Sequence, residues 1–119
     1  MKNIDISEIS NELEQFAIDR DWNQFHSIKN LAMALSVETS ELVEIFQWMS
    51  EDQSNSIVEN PKKFKEVEEE VADIFLYLVR IAGKLNIDLE SVAKAKIQKN
   101  SEKYPVEKAK GNAKKYTEL

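Results

Sequence analysis

Apolar residues recur at helical spacing along most of this chain. Ile9, Leu13, Phe16 and Ala17 share one stripe and predict a helix from about Ser7 to Asp19. Asp19-Arg20-Asp21 breaks the pattern, and Trp22 and Phe25 follow. A second helix is expected from Ser27, whose hydroxyl suits an N-cap, to about Met49. The polar stretch SEDQSNSIVEN, residues 50–60, reads as a connection with room for one short helical turn. Pro61 suits the first position of a third helix, because its missing N–H would be unpaired there anyway. That helix should run to about Leu85, with Gly83 loosening its end. Asp88 caps a fourth helix that reaches about Lys103 before Pro105 stops it. Residues 104–119 hold few large apolar side chains and are expected to pack over the domain or over a partner subunit.

Composition narrows this picture. Only two glycines and two prolines punctuate 119 residues, which favours long helices over a turn-rich β architecture. The size fits one domain, residues 1–119, and the pattern predicts an all-α four-helix bundle. With no cysteine, disulfides and thiolate metal sites are excluded. MKNIDISEIS lacks the apolar run of a signal peptide, and no stretch is long enough to span a membrane, so a cytoplasmic location is expected. A net charge of −6 argues against binding nucleic acid polymers or anionic membranes. The charge is nonetheless uneven. Residues 66–73 read EVEEEVAD, whereas lysines crowd 94–115. A solvated lysine face explains the latter; so does a chain that brings metal and phosphate together.

The helical wheel singles out four acids. On the second helix Leu31, Leu35, Leu42, Ile45 and Met49 fall within about 40° of one direction, and Glu38 lies inside that stripe. Glu41 stands at its edge. A carboxylate aimed inward costs several kcal/mol unless it is paired or protonated. The third helix offers no basic partner at that level but two further acids, Glu70 and Asp73, with Tyr77 on the same side. A stripe of Phe64, Val67, Val71, Phe75, Leu78 and Ala82 lies on another side, so this helix is expected to be well buried. If the two helices form an antiparallel hairpin, Glu38 and Asp73 are equidistant from residues 55 and 56, as are Glu41 and Glu70. The four acids would then meet and repel one another unless a cation joins them. An all-oxygen set suits Mg²⁺ or Mn²⁺ rather than zinc. A di-iron bundle would need Glu-x-x-His motifs, and the lone histidine, His26, lies outside both helices. Hard-cation sites of this kind suit phosphate chemistry.

Two strings, RDWNQFHSIKNLAMALSVETSELVEIFQWMSE and EEEVADIFLYLVRIA, resemble the MazG-like all-α nucleotide pyrophosphohydrolases, and within them the dCTP pyrophosphatase branch. KIQKNSEKYPVE and KKYTEL extend the resemblance over roughly residues 10–119. It implies a four-helix fold assembled as a dimer or dimer of dimers. It also implies hydrolysis of a nucleoside triphosphate, favoured as dCTP or a modified dCTP, to monophosphate and pyrophosphate. On the family pattern Glu38, Glu41, Glu70 and Asp73 hold Mg²⁺, and Glu41 orients or deprotonates the attacking water. Trp22 and Trp48 would wall the base and sugar, and Tyr77 would pack against deoxyribose. Lys96, Asn100, Lys103 and Tyr104 would contact phosphates and sugar, and His26 belongs to the matched QFH. Vertebrate members carry a histidine on the first helix where this chain has Leu13, which places the preference for cytosine in question. A dUTP or other non-standard nucleotide hydrolase shares the metal motif, and a non-enzymatic helical module with an acidic docking face is the alternative outside the family.

Overall fold

Polar residues at the points where the apolar periodicity begins decide where the helices start. The side chains of Asp5, Ser27, Ser50, Asn60 and Asp88 each accept a hydrogen bond from the backbone N–H three residues on, at 3.0–3.2 Å. Each such cap contributes about 1 kcal/mol to its helix. The computed structural model describes all 119 residues and contains helices and no strand. The helices are α1 (Ile6–Asp19), α2 (Ile28–Phe46), α3 (Glu51–Asn55), α4 (Pro61–Leu85), α5 (Leu89–Lys103) and α6 (Val106–Ala109). Short 3₁₀ turns occupy Asn23–Phe25, Ile57–Glu59 and Tyr116–Glu118. The all-α class expected from the sequence is the one observed.

One helix boundary and the part played by Gly83 differ from expectation. The second helix ends at Phe46 and not at Met49. Ser50 and Gln53 form a reciprocal capping box that starts α3, so the chain must turn just before it. Gly83 does not loosen the third long helix, which continues to Leu85 and is closed by Asn86 in the left-handed conformation (φ 58°). The Asn86 N–H bonds back to the carbonyls of Ala82 and Gly83. Gly83 serves packing instead. A Cβ there would stand 2.7 Å from Ser10 Oγ, so its absence lets α1 approach α4.

The chain resolves into two compact units, Met1–Asn86 and Ile87–Leu119. In the first, α2 and α4 form the principal helix pair, with α1 against α4. Ala17, Leu31, Val79 and Ala82 are buried between these three helices, each 5% exposed or less. The expected burial of α4 is met in part: of its second stripe Ala82 is buried and Val67 and Phe75 are half-buried. Phe64, Val71 and Leu78 remain 36%, 50% and 45% exposed. The helix is apolar on more than one side, but α2 and α1 cover only part of its circumference. In the second unit, Tyr116 comes back to the end of α5, edge-to-face with Tyr104 at 6.1 Å and under the Lys103 ammonium at 4.7 Å. No helix is long and apolar enough to cross a membrane.

Candidate active site and metal centre

The α2 stripe that buries Leu31 also carries Glu38 inward, and Glu41 follows one turn later. From α4, Glu70 meets both. One carboxylate oxygen from each of Glu38, Glu41 and Glu70 lies within 4.8 Å of the others. Asp73 stands outside this trio, although it lines a cavity beside Glu38 and its charge acts on Glu38. Of the expected pairs, Glu41 and Glu70 come together, Glu38 meets Glu70 as well, and Asp73 lies beside Glu38 in the cavity wall. The connection holds a five-residue helix and a 3₁₀ turn.

Crowding of like charges sets the electrostatics. The facing Glu70 carboxyl, burial and Glu41 push Glu38 up to about 7 from the ordinary 4.5. Glu70 also rises: the hydrogen-bonding contact with Glu38 lowers it, but burial and the Glu41 and Asp73 charges outweigh that. Glu38 Oε2 and Glu70 Oε2 are buried and lack any hydrogen-bond partner. Two orphaned oxygens facing a third carboxylate, with no thiolate or imidazole among them, fit a hard divalent cation.

The cluster opens two ways. On one side Glu38 and Asp73 form the polar end of a cavity of about 300 Å³, whose other walls are Leu13, Phe16, Trp22, His26, Leu31, Leu76, Tyr77 and Arg80. On the other, Glu41 and Glu70 face an open groove with Glu44, Ile45, Lys63 and Glu66. The aromatic wall is built from α1 and the following 3₁₀ turn. Trp22 stands edge-to-face against Phe16 at 5.7 Å and against His26 at 6.2 Å. Burial and the neighbouring Glu38 and Asp73 charges raise the Tyr77 phenol, which keeps its proton as a donor.

A scan of family models matches residues 33–119 to the MazG-like family. The chain belongs to the MazG-like family. Relatives of this MazG-like chain include rat dCTP pyrophosphatase 1, 40% identical over 105 residues, and the human protein of that name, 37% identical over 105 residues. Those alignments take in 88% of this chain and 62% of each relative, so the chain spans less than two thirds of their length. A pyrophosphatase of known structure from Archaeoglobus fulgidus is similar at a TM-score of 0.78 and 38% identity, covering 88% of this chain and 96% of that one.

Within the MazG-like frame, the residues singled out in the sequence fall into three groups. Glu38, Glu41 and Glu70 come together, and Asp73, Tyr77, Trp22 and His26 meet Glu38 around the cavity. Trp48 does not join them. It follows the end of α2 and is 90% exposed. Lys96, Asn100 and Lys103 are spaced along one side of α5 in the second unit, and Tyr104 is its C-cap. The residue that sequence reasoning missed is Arg80, only 7% exposed in the cavity wall. Its signal was present in DIFLYLVRIA, where a lone cation interrupts an apolar run and must find acceptors inside. Those acceptors are Glu14, Asn23 and His26.

Proposed function

We propose that this chain is a metal-dependent nucleoside triphosphate pyrophosphohydrolase, with dCTP or a modified dCTP as the favoured substrate. The observation that carries the reading is a cavity and a groove that meet at one carboxylate cluster. An apolar, aromatic-walled cavity suited to a base and sugar ends on a carboxylate cluster with orphaned oxygens, and that cluster continues into an open groove where a triphosphate can lie. The printed names of the relatives support the same chemistry.

Glu38, Glu41, Glu70 and Asp73 would hold Mg²⁺, with Mn²⁺ as a substitute. When bound, such an ion neutralises charge on the triphosphate and makes a water more acidic. Glu41, the exposed member of the trio, would orient a water for in-line attack at the α-phosphorus and accept its proton. The P–O bond to the β-phosphate breaks, and pyrophosphate leaves. Trp22 and Phe16 enclose the base, and the Tyr77 hydroxyl donates near the sugar. Lys96 and Asn100, both exposed on α5, are proposed phosphate contacts. The exposed stripe of Phe64, Val71 and Leu78 supports self-association as a homodimer or larger homo-oligomer.

A second reading widens the substrate. Leu13 forms part of the cavity wall and offers no hydrogen bond to a base, which favours a broader range of triphosphates, dUTP included. One panel separates the readings. Each deoxy- and ribonucleoside triphosphate is incubated with the protein and Mg²⁺, and products are resolved by ion exchange. Monophosphate and pyrophosphate from dCTP or its modified forms are expected. Equal turnover of dUTP supports the wider reading. Release of orthophosphate alone, or of nothing from any triphosphate, overturns both.

A further inference from the structure

Arg80 presents a physical problem that the metal chemistry does not solve. It is a cation in the wall of a largely apolar cavity, one helical position from buried Val79. A buried charge of this kind is tolerated only when its donors are matched in geometry and an anion is at hand. Arg80 meets both conditions with side chains from outside its own helix. One Nη donates to Glu14 Oε2 on α1 and the other to Asn23 Oδ1 in the 3₁₀ turn. Asn23 Nδ2 in turn donates to Glu14 Oε1 at 3.2 Å, which closes a ring of three side chains. The Arg80 hydrogen bond, followed by that of Asn23, holds the Glu14 carboxyl below its ordinary range, so the anion is secure.

The third donor is the informative one. Arg80 Nε–H points at Nδ1 of His26, 3.3 Å away. Arginine nitrogens only donate, so Nδ1 must be the unprotonated, accepting nitrogen of the ring. In a neutral imidazole the proton then resides on Nε2. Burial lowers His26 below its ordinary 6.5, the Arg80 and Lys84 charges add to this, and only Glu14 opposes them, all of which favours the neutral ring. His26 lines the cavity, so the one polar hydrogen it can offer an occupant is that on Nε2.

We propose that Arg80 is a positioning residue: by donating to His26 Nδ1 it keeps the ring proton on Nε2 and makes that nitrogen the donor offered to an acceptor atom of the nucleobase. The matching acceptor is a carbonyl oxygen or an unprotonated ring nitrogen, both present on the edge of a pyrimidine. Arg80 thereby also ties the aromatic wall of Trp22 and His26 to the helix that carries Glu70 and Asp73. The identity of the occupant rests on the pyrophosphohydrolase reading; the state of His26 does not.

The chain has a single histidine, so long-range ¹H–¹⁵N spectra of the full-length labelled protein report it without ambiguity. At pH 7.5 the wild type should show one tautomer, with Nδ1 unprotonated and hydrogen-bonded and Nε2 protonated. In Arg80→Met the Nδ1 signal should lose its hydrogen-bonded shift. Arg80→Lys, which keeps a charge beside Glu14 but lacks the planar fork, serves if the first variant does not fold. A protonated Nδ1 in the wild type, or unchanged signals in the variants, overturns the proposal. In steady state, the variants should raise KM for a pyrimidine triphosphate about tenfold, with kcat within about threefold. Loss confined to kcat also overturns it. If the wild type hydrolyses no triphosphate, the functional reading fails while the spectra still decide the role of Arg80.

Discussion

Glu38 concentrates the tension of the site in one residue. Its folded value of about 7 lies above the 4.5 of a free glutamate. The stability tied to its proton is therefore complete below about pH 4.5 and is lost as pH rises through 7. His26, lowered in the fold, works in the opposite sense, with its contribution lost as pH falls below about 6.5. The difference between wild type and Glu38→Gln isolates the glutamate. Thermal unfolding with a chelator present should show Glu38→Gln gaining on the wild type from pH 5 to 8, by on the order of 1 kcal/mol at the upper end. A constant difference would remove the charge-crowding argument. Added Mg²⁺ should stabilise the wild type at pH 8 and leave the variant nearly unmoved. The same substitution should reduce turnover by at least a hundredfold, more than the roughly 10–100-fold commonly lost with an outer-sphere partner of a metal ligand. Glu38 was legible in the sequence because a carboxylate inside an apolar stripe has few explanations. Its contact with Glu70 was not, because a helical wheel gives the face of each acid but not which acid of the facing i, i+3 pair its side chain reaches.

Helices carry the site to the extent that their ends are well defined. Caps at Ser27, Asn60 and Asp88 explain why three of the four long helices begin where the sequence pattern indicated. The α2 terminus differs because Met49 continues the stripe of Leu42 and Ile45 beyond Phe46, where the helix ends. The end of α4 at Leu85 was legible, but the residue that makes it, Asn86, was not, since asparagine tolerates the left-handed region without being confined to it. Asn86→Ala should cost about 1 kcal/mol in urea denaturation, and Asn86→Gly should cost nothing or gain slightly. Equal losses in both would point to a side-chain contact instead of backbone conformation.

For the molecule as a whole, the amount of apolar surface left open is the principal departure from the sequence reading. A helical wheel shows which faces are apolar but not how many neighbours a chain can supply. With α1 and α2 against it, α4 still exposes Phe64, Val71 and Leu78. A second copy meeting this stripe would complete the burial. Leu78→Glu and Val71→Glu should then shift the sedimentation coefficient to that of a smaller species at micromolar concentration, with helicity retained. An unchanged coefficient would mean that this stripe is not where copies meet. The two tryptophans also divide in a way that gives the protein its own optical readout. Trp22 is packed against Phe16 and His26, whereas Trp48 is almost fully in water. Trp48, 90% exposed, should emit at long wavelength and be readily quenched by iodide, and Trp22, 43% exposed, should supply a bluer component that is quenched less. Filling the cavity then alters the blue component alone, and burial of Trp48 in an assembly shifts the red one, so a single unlabelled sample distinguishes ligand entry from association.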